Sequence, residues 1–428
     1  MTIKDIHSLF LKNPLICTDT RKIKHGAIFF ALKGEAFNGN KFASKAIDEG
    51  CSYAIIDEEE YKTSGKHILV NDVLTCLQEL ATYHRKELSI PIIGITGTNG
   101  KTTTKELIRC VLSEKYNTYA TDGNFNNHIG VPLSLLSITK EHEIAIIEMG
   151  ANHQHEIKTL CDIAQPNYGI ITNIGKAHLE GFGSFENLKN TKKELYDYIK
   201  KNDGMLFVNN DNILLDNLSK DTKKYTYGSD NADSRARFTQ ASPFLVMELL
   251  STKGTLYVRT KLIGGYNYEN VHAAASIGRY FHIDDMDIKH AIEAYIPSNN
   301  RSQLKKTENN TLILDAYNAN PTSMTVSIKN FKEITAVHKS LILGDMLELG
   351  NESDHEHKAI IQLLEENSFK NIYLVGKEFY KHDCPSYFNK YEETEDLIKY
   401  LKESPIVNNT ILIKGSRGIK LEDCIELL

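Results

Sequence analysis

The sequence predicts an α/β protein of about three domains, and three observations carry that expectation. The chain has 428 residues, too many for one ordinary hydrophobic core. Continuous apolar runs such as TLILD, SLILG, IYLVG and TILIKG alternate with helix-period stretches, the pattern of strands buried on both faces. Residues 91–106, PIIGITGTNGKTTTKE, pass from an apolar run through a glycine-rich turn into a segment where Leu107, Ile108, Val111 and Leu112 recur at helical spacing. That order reads as strand, phosphate loop, helix.

Composition narrows the class. A hydrophobic fraction of 41% and a charged fraction of 25% are those of a soluble globular protein. The net charge of −6 argues against a broad nucleic-acid surface. The seven cysteines are scattered and never in CxxC spacing, so reduced thiols are expected rather than disulfides or zinc. MTIKDIHSLFLKNP has no signal-like apolar core, and no run approaches the roughly 18 apolar residues of a membrane span. A cytoplasmic protein without a membrane span is the expectation.

Residues 1–88 read as a small α/β unit: ICTDTR (16–21), AIFFALKGEAFNGNKF (27–42), SYAIID (52–57) and HILV (67–70), closed by a helical stretch from Val73. Taken alone, Asp19 and Arg21 read as a surface ion pair.

Residues 89–297 form the nucleotide unit. Wrapping a triphosphate takes backbone N–H groups that only a glycine-rich turn presents closely, with the next helix N-terminus adding a favourable dipole. Gly97, Thr98, Asn99, Gly100, Lys101, Thr102 and Thr103 supply that turn. Lys101 is expected at the β- and γ-phosphates and the Thr102 hydroxyl at Mg²⁺. The strict pattern would place its first glycine at Ile95, whereas glycines stand at 94 and 97. The apolar run 144–147 ends in Glu148, where a Mg²⁺-ordering acid belongs, unless it caps a helix. YGIITNIG (168–175) delivers His178 to the same sheet edge, as a ligand or as a structural histidine.

In ENLKNTKKELYDYIK (186–200), a helical wheel groups Leu188, Leu195 and Ile199 within about 40°, with Lys192 beside them and Lys189, Lys193 and Lys200 elsewhere. Lys192 is then either desolvated, leaving a reactive neutral amine, or snorkelling to water. Residues 209–233 read as surface turns and helix ends, and 244–265 as a hairpin. Asn267 and Asn270 share one helix face, where amides cap the helix or bond a purine edge.

Residues 298–428 repeat the strand–helix alternation over a mostly parallel sheet. Asp315 ends its strand as Glu148 does, suited to ribose or metal, and KGSRG (414–418) suggests an anion cradle.

With these motifs in view, the chain resembles the Mur ligase family along essentially its whole length. GTNGKTT (97–103) is the shared mark and accounts for the displaced glycine. NFNNHIGVP (124–132), EMGANHQHEI (148–157), TNIGKAHLEGFGS (172–184), DAYNANPTSM (315–324), GDMLELG (344–350) and KGSRGIKLE (414–422) point to the branch that adds D-alanyl-D-alanine. The resemblance implies a UDP-binding N-terminal domain, a central P-loop ATPase domain and a C-terminal Rossmann-like domain. It implies ATP-dependent joining of D-Ala-D-Ala to UDP-MurNAc-tripeptide by a monomer.

By the same resemblance Thr20 and Arg21 contact UDP. Thr102 and Glu148 hold one Mg²⁺ and His178 a second, and Lys192 carries a carbamate. Asn267 and Asn270 lie at adenine, Arg301 at phosphate, Asp315 at ribose and Asn318 at the reaction centre. His128, Lys176 and Asn38-Gly39-Asn40 depart from residues frequent in the family, the last at the uridine side. A sister ligase should lack DAYNANPTSM and NFNNHIGVP. A generic P-loop ATPase would not require Lys192, and a dead scaffold would have lost Lys101, Glu148 or Lys192.

Overall fold

The computed structural model describes residues 1–252, 254–297 and 301–428, with Leu179 described by its backbone alone. The expected boundary at 297/298 therefore abuts residues outside the described set. Three main sheets are present. The first is wholly parallel, in the order Ile16–Cys17, Ile28–Phe30, Tyr53–Ile56, His67–Leu69.

The second sheet has nine strands. Thr118–Ala120, Ile144–Glu148, Ile92–Thr96, Tyr168–Ile171, Met205–Asn209, Lys224–Gly228 and Ser234–Gln240 run parallel, and Val246–Ser251 and Gly254–Arg259 close it as an antiparallel hairpin. The hairpin matches the sequence reading. The strand Lys224–Gly228 does not, because it lies in the stretch read as surface turns. Its tyrosine-rich sequence takes the extended form only because it pairs along Met205–Asn209, a non-local contact with no local signature.

In the third sheet, of six strands, Asn310–Leu314, Asn409–Lys414, Lys339–Gly344, Asn371–Val375 and Phe388–Tyr391 are parallel, and Gln303–Lys306 is an antiparallel edge. The central strands of both larger sheets, such as Ile92–Thr96, Ile144–Glu148, Lys339–Gly344 and Asn409–Lys414, are buried along most of their length, as their continuous apolar runs require. All seven cysteines are free. Among the described residues no helix is long and apolar enough to cross a membrane.

The cores are shared unequally. One face of the first sheet has its own cluster, with Phe29, Ala31, Ala43 and Ala54. The other face, with Ile28, Phe30 and Ile55, joins a single cluster that runs through helix Val73–Glu87 to Leu135, Ile147 and Leu160 of the central unit. That helix packs on Ile3–Lys12 on one side and on Gly130–Leu136 and Glu156–Ala164 on the other.

Histidines are locked into these seams uncharged. The buried His7 Nε2 and His84 Nδ1 are 3.1 Å apart, and His84 Nε2 lies 2.9 Å from the Ile138 carbonyl. Burial pushes both rings below the ordinary 6.5, with His84 adding to the effect on His7. Burial of His272, 2% exposed, pushes it down to about 3. A folded-state pKa lower than the unfolded one means that the unfolded chain binds more protons in acid. Stability from these rings is therefore full above about pH 6.5 and is lost as pH falls. His272 alone is expected to cost about 1.4 kcal/mol at roughly pH 5.5. Tm measured from pH 8 to 5 should drop on the acid side of about pH 6.5, and a flat profile would contradict this.

Candidate active site

The central strand Ile92–Thr96 is buried throughout and runs straight into the glycine loop. Gly97 has φ +146° and Gly100 φ +78°, the latter preceding helix Lys101–Leu112 without a side-chain cap. A Cβ on Gly97 would lie 2.0 Å from Thr172 Oγ1, and one on Gly100 2.5 Å from Asn270 Oδ1. Both glycines are thus demanded by backbone angle and by space.

The loop is clamped by the segment after strand Tyr168–Ile171. Asn173 accepts from Asn99 N through Oδ1 and donates from Nδ2 to Asn99 O, each at 3.0 Å, and Thr172 Oγ1 donates to Asn99 O at 2.6 Å. Thr98 N donates to Asn173 O at 2.9 Å, and Thr103 is buried in the first helical turn. Gly97→Ala is expected to cost about 1–3 kcal/mol of unfolding free energy and to weaken ATP binding. Gly65→Ala, facing open space, serves as the control. Equal denaturant midpoints for the two variants would refute the clamp.

At the loop's mouth Thr102 and Glu148 form a polar corner. Thr102 Oγ1 donates to the Glu148 carboxylate at 3.0 and 3.2 Å, and Glu148 is 1% exposed. Two residues that the sequence reading did not single out complete it. Asn126 Nδ2 donates to Glu148 Oε1 at 2.9 Å, and the fully buried Lys105 Nζ lies 3.8 Å from Oε2 and bonds the Thr121 carbonyl. Asn126 stood inside the quoted NFNNHIGVP run, and Lys105 one helical turn after Lys101.

Lys101 Nζ donates to the carbonyls of Gly97 at 2.7 Å and Thr98 at 3.1 Å. Burial pushes its pKa down to about 8, against the pull of Glu148 and with help from the positive Arg301. The Glu148 carboxylate and the Thr102 hydroxyl are oxygen ligands of the kind a hard divalent cation such as Mg²⁺ takes.

Helix Phe185–Lys201 begins where Ser184 Oγ accepts from Asn187 N at 3.1 Å. Its buried stripe includes Leu188, Thr191, Lys192, Leu195 and Ile199, while Lys189 pairs with Glu186 and Lys193 with Asp197 near solvent. Lys192 is 2% exposed, so the snorkelling alternative is overturned. Its amine has no hydrogen-bond or ion-pair partner among the described residues, and its nearest recorded ring, Phe182, is centred 5.9 Å away. Burial first, then the Lys101 charge, push it well below the ordinary lysine range, opposed by Glu156 and Glu194.

The third sheet brings its loops against this centre. Asn320 Nδ2 donates to Asn99 Oδ1 at 2.8 Å, Lys176 N to Thr322 Oγ1 at 3.1 Å, and Lys176 Nζ pairs with Glu356 at 2.8 Å. His178 Nδ1 hydrogen-bonds the Glu348 carboxylate. Arg301 lays its guanidinium 3.6 Å from the Tyr317 ring centre, with Arg417 at 5.7 Å, and has no carboxylate partner among the described residues.

Asp315 follows its strand as expected, but Lys414 at 2.6 Å and Ser327 at 2.9 Å hold it. Lys414, 2% exposed, is consumed by that pair, so KGSRG is not the two-cation cradle expected. Asn318 is exposed, its Oδ1 accepting from Ala319 N at 2.9 Å.

Asn267 and Asn270 do share a face. Asn270 Nδ2 donates to Asn267 Oδ1 at 2.9 Å and its Oδ1 accepts from Thr104 at 3.0 Å, while Asn267 Nδ2 donates to Ile263 O at 2.9 Å. Neither caps the helix, whose cap position is Tyr266. Through Thr104 they tie helix Asn267–Tyr280 to the loop helix.

Thr20 and Arg21 lie in the first unit, where Arg21, 87% exposed, forks onto Asp19 at 2.8–3.2 Å, the surface pair of the local reading. The departing Asn38 and Asn40 form a closed network: Asn38 Nδ2 to Glu58 at 3.0 Å and Asn40 Nδ2 to Asp57 at 2.8 Å.

Comparison with known proteins places these features in context. Sequence profiles described as Mur ligase family, catalytic domain, Mur ligase middle domain, and Mur ligase, glutamate ligase domain match residues 15–92, 95–278 and 300–417. A UDP-N-acetylmuramoyl-tripeptide--D-alanyl-D-alanine ligase of Bacillus subtilis is 34% identical, over 96% of this chain and 92% of the relative. The Escherichia coli protein of that description is 31% identical over 96% and 93%. Among solved structures, MurF from Acinetobacter baumannii superposes with a TM-score of 0.85 at 29% identity, covering 96% and 92% of the two chains. MurF ligase from Thermotoga maritima in complex with ADP gives 0.85 at 25% identity, covering 97% of each.

Proposed function

Because the chain belongs to the Mur ligase family, we propose that it joins D-Ala-D-Ala to UDP-MurNAc-tripeptide with cleavage of ATP to ADP and phosphate, forming UDP-MurNAc-pentapeptide. The observation that carries this reading is that Lys101, on a glycine loop whose Thr102 meets Glu148, lies within electrostatic reach of Glu148, Arg301 and the buried Lys192.

A carboxylate is a poor acylating agent, so its oxygen first attacks the γ-phosphorus. The bond to the β-γ bridging oxygen breaks and ADP leaves with that electron pair. The amine of D-Ala-D-Ala then attacks the acyl carbon, loses a proton, and phosphate leaves with the C–O electrons. Lys101 and Arg301 would offset the crowded negative charge, and in phosphoryl transfer that stabilisation supplies most of the catalysis. The contacts from Asn320, Lys176 and Glu348 seal the third domain over the loop and keep water from the acyl phosphate.

Thr102 and Glu148 would hold one Mg²⁺ and His178 a second, and bound Mg²⁺ spreads phosphate charge. Lys192 as a neutral amine adds CO₂ to give a carbamate and a proton, the anion expected beside the second ion. Asn267 and Asn270 serve the adenine side through the loop helix, Asp315 the ribose, Asn318 the reaction centre, and Thr20 and Arg21 the UDP. Residues 1–88, 89–297 and 298–428 are the three functional domains of a cytoplasmic monomer.

Phosphate release by the purified protein should require ATP, UDP-MurNAc-tripeptide and D-Ala-D-Ala together, and yield pentapeptide. Release independent of the tripeptide or the dipeptide would return the generic ATPase, and no release the scaffold.

A further inference from the structure

The pair His178 and Glu348 joins two domains through two residues that both break a backbone rule. His178 has φ +49° and Glu348 φ +64°, the left-handed region that non-glycine residues avoid. Such strain persists where surrounding structure over-determines it, and it collects at functional sites. The surroundings are present: Glu180 N donates to the Glu348 carbonyl at 3.4 Å, and Gly350, φ +53°, lies against Glu180. The 348–350 turn of the third domain is thus seated on the turn that carries His178.

Within that seat the Glu348 carboxylate meets His178 at Nδ1. An ionised carboxylate only accepts, so Nδ1 carries the proton. In the neutral ring the lone pair is then on Nε2. A metal-binding histidine characteristically donates its other N–H to a carboxylate, which fixes tautomer and ring orientation. Among the described residues, Glu348 is the third-domain group that hydrogen-bonds this ring.

We propose that Glu348 is a positioning residue: by seating on His178 when the third domain docks, it sets the Nδ1–H tautomer and turns Nε2 toward the cation site. This rests on the reading of His178 as a metal ligand. Its consequence is that metal affinity at His178 depends on domain docking, because the positioning group arrives on the other domain.

The test uses the full chain with ADP and Mn²⁺ as the probe, comparing wild type, Glu348→Ala, Glu348→Gln and His178→Asn, after thermal melts confirm that each is folded. The ¹⁵N shifts of the His178 ring, identified by their loss in His178→Asn, should report Nδ1–H in the wild type and a shift to Nε2–H in Glu348→Ala. Mn²⁺ binding, followed by electron paramagnetic resonance, should weaken roughly 10- to 100-fold in Glu348→Ala. Glu348→Gln, whose amide oxygen still accepts from Nδ1–H, should recover most of both.

If His178→Asn weakens Mn²⁺ and Glu348→Ala changes neither tautomer nor affinity, the positioning role is overturned while the ligand reading stands. An unchanged Mn²⁺ affinity in His178→Asn overturns the ligand reading itself. A glutamine variant as impaired as the alanine one would show a strut that needs charge rather than a tautomer-setting acceptor.

Discussion

Lys192→Met is expected to lower kcat by about 10²–10³-fold while leaving the protein as stable as the wild type or more so. The two halves of that result come from one fact. An unpaired amine, 2% exposed and held well below the ordinary lysine range, contributes nothing to folding in its charged form. Because the folded chain holds that proton less tightly than the unfolded one, the group weakens stability at neutral pH. Methionine fills similar volume without that cost.

The carbamate would be lost with the amine, and with it an anion near the phosphates. Lys192→Arg should fail equally, because a guanidinium is never the neutral nucleophile that CO₂ requires. Two further readings separate chemistry from packing. Wild-type activity should fall in CO₂-stripped buffer and return with bicarbonate. ¹³C-bicarbonate should give a protein-bound carbamate resonance that both variants lack. A Lys192→Met enzyme with wild-type kcat would mean that the lysine is a core residue and no more.

Lys101→Met is expected to cost about 10²–10³-fold in kcat/KM for ATP, since it removes a preorganised cation from a site with few others. The wild-type profile carries a finer prediction. Burial and Arg301 hold Lys101 at about 8, so it is charged below that pH and progressively neutral above it. kcat/KM for ATP reports the free enzyme and should fall as pH rises through about 8. kcat reports the nucleotide complex, in which the phosphates hold the proton on, and should stay level across the same range. A kcat/KM profile flat to pH 9.5 in the wild type, or a methionine variant with normal kcat/KM, would remove Lys101 from phosphate binding.

What the sequence disclosed follows from how local each signal is. Gly97 and Gly100 are dictated by angles and clearances within a few residues, so the turn announces itself in GTNGKTT. Lys192 was placed by the period of its helix, and only its depth needed the fold. Glu148 and Asp315 followed from where apolar runs stop.

Other features are non-local and were not readable. Lys105 looks like any helix lysine until Thr121 and Glu148 close over it. Lys414 was assigned to a ligand and serves Asp315, 99 residues away in sequence. The strand Lys224–Gly228 has no apolar run of its own and exists through its pairing. Asn38-Gly39-Asn40, a departure with no evident purpose in sequence, proves to be internal wiring to Asp57 and Glu58.

The core shared by the first sheet and helices Gly130–Leu136 and Glu156–Ala164 bears on how the chain is born. One face of that sheet is closed by residues available early; the other joins helix Val73–Glu87, whose far side waits for apolar groups as distant as Leu160. At a synthesis rate of roughly 5–20 residues per second, the growing chain leaves the far side of helix Val73–Glu87 uncovered for several seconds after that helix has emerged. The amino-terminal unit thus depends on central-unit residues to complete its core, whereas the third domain draws its main clusters largely from its own strands and helices.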